Sequence, residues 1–317
     1  MSQAEKRPGW HWSDYWRSGR AEVMTVDTPD GPVTFDTGAI WNSWFASFET
    51  GARLLDLATG SGQVARYAGA AATSRAKTFD ITGVDYADVA SAEPQPATGC
   101  TLLGGVPLEK LPFAAASFDG ASSQFGIEYA DTRLALAELS RVLEPGGRAL
   151  MLIHHANSAI TRQTEAQIAA YDRVLGNGGA IRQGRRAFAA HLKALPVAAR
   201  QSAEDAFRDA VGRAAARLEP GSAFDQVRYL VGYIDDLANR IVSYEPASAL
   251  ARLEAFEMGN TAWRHRQQSQ TRAALDETGL DAFVQRAARA GLALTDRAEE
   301  RDARGALIAW RAGFLKA

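Results

Sequence analysis

The stretch from Arg53 to Gln63 constrains this chain more than any other. An apolar strand, Leu54, Leu55, Asp56 and Leu57, runs straight into the turn Ala58-Thr59-Gly60-Ser61-Gly62, after which a helix is expected. Small residues at Ala58, Gly60 and Gly62 leave no bulk over the turn, so a ligand can lie against bare backbone near a helix N-terminus. That geometry suits a nucleoside-bearing cofactor. The same letters, Gly60-Ser61-Gly62-Gln63-Val64-Ala65, also read as GxGxxA, the dinucleotide fingerprint. Asp56 separates the two readings. A carboxylate ending an apolar strand is an unwelcome neighbour for a diphosphate and a favourable one for a cationic amine.

Three later segments add to this. Ile81-Thr82-Gly83-Val84-Asp85-Tyr86 is a strand ending in an acid about 20 residues past the turn, where a ribose offers two hydroxyls. Leu111-Pro112-Phe113 leads through Ser117-Phe118-Asp119 into a strand that reaches Gln124-Phe125-Gly126-Ile127-Glu128. Leu139-Ser140-Arg141-Val142-Leu143-Glu144-Pro145-Gly146-Gly147 opens a further strand ending at Ile153. In this order and spacing the segments resemble the class I S-adenosylmethionine-dependent methyltransferases, over roughly residues 50 to 155.

The resemblance implies roles for individual positions. Asp56, with Ala58, Thr59, Gly60 and Gly62 of the turn, is expected to hold the methionine end of S-adenosylmethionine. Asp85 is expected to accept hydrogen bonds from the ribose, Tyr86 to lie against the adenine, and Gln124 and Phe125 to flank the methionine arm. The sequence departs from the family pattern at Ala58, where a first glycine is commonest, and around Val106-Pro107-Leu108, where an acid often reads the adenine amino group. The backbone of Gly105 or Val106 is expected to serve there instead. The sulfonium already activates the methyl group, so positioning supplies most of the rate, and a hydroxyl or protonated-amine acceptor also needs a base. His154 and His155, at the end of the fifth strand, are the leading candidates, with strand alternation allowing only one to face the cleft. Glu128 and Tyr129 are weaker ones.

The fold expected is α/β: a doubly wound, mostly parallel seven-stranded sheet closed by an antiparallel C-terminal hairpin, with a helical insertion after the fifth strand. Residues 51–155 and 292–317 form the core and 156–291 the insertion, a cap or a dimerisation arm. Strands are expected at 53–57, 78–85, 101–104, 118–123 and 147–153. The insertion shows helical stripes through Phe207, Val211, Ala214 and Leu218 and from Phe224 to Ile241, with a glycine corner at 176–179. Leu292–Thr295 and Ala306–Trp310 are read as the hairpin, flanking a charged loop. Residues 1–50 hold five of the seven tryptophans and are expected to pack on the core as one or two short helices joined by a turn at Asp30-Gly31-Pro32. Trp10 to Trp16 are the candidates among them for lining an acceptor pocket.

A net charge of −2 gives no electrostatic reason to expect nucleic acid or an anionic membrane as partner. One cysteine, Cys100, excludes an intrachain disulfide and a cysteine-rich metal site, and no metal is expected. With no signal-like pattern and no long apolar run, a cytoplasmic protein is expected. The reading is methyl transfer to a small-molecule acceptor, on oxygen or nitrogen, by an enzyme that could be a homodimer. The alternatives are an NAD(P)-dependent oxidoreductase and a non-catalytic cofactor-binding protein.

Overall fold

The computed structural model describes residues 10–17, 24–28, 31–89 and 100–317. Two compact units emerge, one comprising the chain to Val26, Pro32–Thr161 and Ser269–Ala317, the other Asp27–Gly31 and Arg162–Gln268.

The first unit is built on β3 (Ala52–Leu57), β4 (Phe79–Val84), β5 (Cys100–Leu103), β6 (Phe118–Gln124), β7 (Leu143–His154), β8 (Leu292–Arg301) and β9 (Leu307–Lys316), in the order β5-β4-β3-β6-β7-β9-β8. The first five are parallel, and β9 and β8 close the sheet antiparallel. Side chains of β3 go alternately to two cores, as a sheet covered on both faces requires. Leu55 and Leu57 join the core under α4 (Thr132–Val142) and α10 (Glu277–Arg289). Leu54 joins the core under α2 (Gly38–Ala46) and α3 (Gln63–Thr73). The strand order reverses between β3 and β6, which places a ligand crevice at the carboxyl ends of β4, β3 and β6.

The N-terminal segment differs from two helices joined by a turn. Helix α1 (Trp10–Arg17) is followed by a hairpin of β1 (Met24–Thr28) and β2 (Gly31–Phe35), then α2. β-Branched residues at Thr25, Val26, Thr28, Val33 and Thr34 favour strands, and Gly31 takes a φ of 100° at the turn. The aromatic residues divide between two tasks. Trp41, Phe45 and Phe48 are buried against one face of the sheet, whereas Trp12 and Trp16 of α1 line the crevice.

The C-terminal strands run further than the apolar letters indicate, because residues 296–301, read as a charged loop, remain paired with β9. Cross-strand charge pairing supports this, with Arg311 on β9 reaching Asp296 at 2.9 Å and Glu300 at 2.7 Å. A charged, solvent-facing β8 also blunts the exposed sheet edge.

The second unit is helical among its residues 162–268: most of α5 (Ala159–Val174), then α6 (Gly179–Leu192), α7 (Val197–Ala215), α8 (Asp225–Asn239) and the greater part of α9 (Pro246–Ala273). Its own core includes Phe188, Phe207, Val227, Ile234 and Leu253. The glycine corner separates α5 from α6, with Gly178 left-handed at the N-cap of α6. Residues 269–291, read as part of the insertion, belong to the sheet unit instead. Leu280, Phe283 and Ala287 of α10 are buried in the core under the sheet, and Leu275 bonds to the end of β7.

Candidate active site

The turn after β3 is held open by unusual backbone. Ala58 and Gly60 both have a φ of 54° and Gly62 has one of 81°. A left-handed alanine is uncommon and is tolerated where the surroundings fix it. Opposite the turn, Phe125 at the end of β6 also has a φ of 54°. The next residue, Gly126, approaches so closely that a Cβ there would lie 2.3 Å from the Ala58 Cβ. The two strand ends therefore meet through small residues and strained backbone, a combination typical of ligand sites.

A cleft of about 650 Å³ opens here, lined by residues of α1, the ends of β3, β4 and β6, the loop after β5, and the last turn of α9. Ala58, Asp85, Tyr86, Phe125 and Glu128 all face it. Asp85 is buried, and its carboxylate accepts from Gly60 N at 2.9 Å and Ala87 N at 2.8 Å. Burial raises its pKa, opposed by those two N–H groups. The Tyr86 ring is half exposed, leaving a flat face available for stacking. Trp16 lies on the turn, so that a Cβ at Gly60 would be 2.5 Å from its ring. Ser13 ties α1 to the same corner by accepting from Asp88 N at 2.9 Å.

Other residues singled out in the sequence stand behind the cleft wall. Asp56 is buried beneath the turn, where it accepts from Thr59 Oγ1 at 2.6 Å and Ser122 Oγ at 2.8 Å. It braces the turn, and burial pushes its pKa up to about 6 against those hydroxyls. Thr59 is committed to that brace, and Gly62 caps α3. Gln124 turns toward α2, accepting from Trp41 Nε1 at 2.6 Å. The N–H groups of Gly105 and Val106 are spent inside the protein, on Ala87 O at 3.2 Å and Asp85 O at 2.8 Å. An adenine amino group, itself a donor, would need a backbone carbonyl there instead. The next three residues, Pro107, Leu108 and Glu109, line the cleft.

The two histidines separate as strand alternation requires. His155 lies away from the cleft lining, stacked on Trp310 with ring centroids 4.3 Å apart, its Nδ1 accepting from Asn157 N at 2.9 Å. Burial lowers its pKa, with Glu299 at 3.7 Å acting in the opposite sense. His154 lies beneath the cleft floor. Its backbone N and ring Nδ1 both donate to Glu128 Oε1, at 2.9 and 2.8 Å. The other carboxylate oxygen, Glu128 Oε2, is buried and makes no hydrogen bond among the described residues. A buried carboxylate oxygen without a donor is costly, and this one belongs to a residue facing the cleft. The Glu128 side chain is fully buried, with Oε1 held by His154 and Oε2 the atom that has no donor.

Glu109 and Arg272 also line the cleft and had not been anticipated. Glu109 was legible in principle, standing two residues before Leu111-Pro112. Arg272 carried no signal, being one arginine among many on helices.

Fold and site define a doubly wound α/β protein with a nucleoside-sized crevice at the switch point and a buried carboxylate beside it. Residues 55–151 match the methyltransferase domain family. Similar curated proteins include the ubiquinone/menaquinone biosynthesis C-methyltransferase UbiE of Syntrophotalea carbinolica, 45% identical over 105 residues, 32% of this chain and 43% of that protein. The protein of the same name from Geotalea daltonii is 36% identical over 107 residues, 32% of this chain and 44% of that one. The demethylmenaquinone methyltransferase of Thermus thermophilus is 37% identical over 105 residues, 32% of this chain and 46% of that one. The chain spans less than half the length of these relatives. Among solved structures, a 1,6-didemethyltoxoflavin-N1-methyltransferase of Burkholderia thailandensis is similar at 12% identity and a TM-score of 0.42, covering 89% of this chain and 76% of that one. The chain carries a class I S-adenosylmethionine-dependent methyltransferase domain. Its GxGxxA letters belong to that domain and not to a dinucleotide oxidoreductase.

Proposed function

We propose that the protein methylates a small-molecule acceptor, with S-adenosylmethionine bound across the ends of β3 and β4 and the acceptor at the ends of β6 and β7. Asp85 fits the ribose, Tyr86 the adenine, and the turn at Ala58 the methionine arm. With the cofactor bound, its sulfonium would supply the methyl group to the acceptor atom and its sulfur would keep the electron pair of the broken bond. The chain's own task is to hold the acceptor in line, exclude water and take the acceptor's proton. Glu128 takes it on Oε2, while His154 fixes the carboxylate through Oε1.

The unpartnered, buried Glu128 oxygen carries this reading. Oxygen or nitrogen methylation follows directly from a base at that position. Carbon methylation is the second reading, favoured by the names of the curated relatives, and the same base would serve it by ionising a ring hydroxyl. No helix among the described residues is long and apolar enough to cross a membrane, which suits a protein working in the cytoplasm. The test is a labelled-methyl assay over acceptor panels, with product analysis to locate the methyl group. Glu128→Gln should bind S-adenosylhomocysteine normally and lose about 10²-fold or more in turnover. Full turnover in that variant would remove Glu128 from the chemistry.

A further inference from the structure

The cleft has charged groups at two places on its acceptor side, and they differ in kind. Glu128 offers a buried oxygen with no donor. Arg272, in the last turn of α9, lines the same cleft and makes no hydrogen bond or ion pair among the described residues. Arg272 is exposed at the pocket wall, and an arginine there without a carboxylate partner is a ready fork for an anion. Its place in the fold ties it to the acceptor. Three residues on, Leu275 donates to His154 O at 2.8 Å and accepts from Ala156 N at 2.9 Å, so this chain segment is stitched to the end of β7. β7 stands three strand spacings, about 14 Å, from β4 and its ribose-reading acid. The lining is also aromatic. Trp12 meets Tyr129 edge to face with ring centroids 5.6 Å apart, and Phe125 lies alongside.

We propose that the acceptor is a flat aromatic compound bearing an anionic substituent, with its ring against Trp12 and Tyr129, its transferable proton directed at Glu128 Oε2 and its anion received by Arg272. The inference rests on the methyl-transfer reading of the cleft and deepens it by naming the substrate class. Electrostatics favour the arrangement, because Asp85, Glu109 and Glu128 put carboxylates elsewhere on the lining, and Arg272 is the one arginine or lysine among the described lining residues.

The experiment uses the full chain saturated with S-adenosylhomocysteine, titrated with hydroxybenzoates and with the matching hydroxybenzamides, which keep ring and hydroxyl but lose the charge. Calorimetry and tryptophan fluorescence report binding without turnover. The acids should bind about tenfold more tightly than the amides, the size expected for one charge-assisted contact. Arg272→Gln should bring acid and amide to within about twofold of each other while leaving the affinity for S-adenosylhomocysteine unchanged. Acids no tighter than amides, a preference that survives Arg272→Gln, or no hydroxybenzoate binding to a protein that does bind S-adenosylhomocysteine would each overturn the proposal. Loss of S-adenosylhomocysteine affinity in Arg272→Gln would also overturn it, by assigning the arginine to the cofactor. A wild-type protein that fails to bind S-adenosylhomocysteine would sink the methyl-transfer reading itself, and this inference with it.

Discussion

Replacing Asp56 by Asn should stabilise the protein at neutral pH while weakening cofactor binding. Asp56 is buried, held by the Thr59 and Ser122 hydroxyls, and its pKa is raised from 3.8 to about 6. Since each pKa unit corresponds to about 1.4 kcal/mol, ionising this carboxylate in the folded protein costs about 3 kcal/mol more than in the unfolded chain. The sign follows from the direction of the shift. A raised folded pKa means that Asp56 contributes its full stability below the unfolded value near 4, and that this contribution is lost as pH rises through about 6. Asn keeps the shape and carries no charge, so the variant lacks that loss. Urea unfolding of wild type and Asp56→Asn at pH values from 4 to 8 gives the comparison. The difference between them should grow in favour of Asn by about 3 kcal/mol across pH 4 to 6 and then level off. Acids remote from Asp56 cancel in the difference, whereas buried Asp85, whose charge helps raise the Asp56 pKa, is relieved of that repulsion in the variant. In the same variant, S-adenosylmethionine should lose more affinity than adenosine, because only the former brings an ammonium toward the turn. Parallel pH profiles, with Asn the less stable at every pH, would refute the argument and show that the two hydroxyls already balance the buried charge.

Asp85→Ala should weaken S-adenosylhomocysteine binding by about tenfold or more, through two lost ribose hydrogen bonds, and calorimetry measures this directly. The variant should also lose about 1–3 kcal/mol of stability for each of the Gly60 and Ala87 N–H groups it leaves buried and unpaired. Gly126→Ala forces a Cβ to within 2.3 Å of Ala58 and should cost about 1–3 kcal/mol in thermal or urea unfolding. Adding Ala58→Gly should recover much of that loss, and a double-mutant cycle showing simple additivity would contradict the contact. His155→Phe preserves a flat ring on Trp310 and should leave turnover and cofactor affinity unchanged, whereas a large loss of turnover would return His155 to the chemistry.

The carboxyl-end crevice was legible in the sequence because its determinants are local. A strand that ends in Ala58-Thr59-Gly60, an acid ending the next strand, and Pro145-Gly146-Gly147 opening the fifth are each fixed by backbone geometry and hydrophobic period over a few residues. The fold class, the cofactor class and the cleft positions of Ala58, Asp85, Tyr86 and Phe125 follow from them. Strand alternation even required His154 and His155 to point opposite ways, though not which of them faced the site.

What the sequence could not decide depends on partners distant along the chain. Nothing local shows that Ser122, 66 residues away, holds Asp56 under the turn. Glu128 ranks below two histidines until His154 is found to occupy one of its oxygens and leave the other bare. The charged letters 296–301 read as a loop until pairing with β9 makes them strand. Arg272 has no local mark at all, and it enters the cleft only because Leu275 is bonded to the end of β7. Local sequence sets backbone conformation and periodicity, whereas the burial, charge and hydrogen bonding of a side chain are set by whatever the fold brings against it.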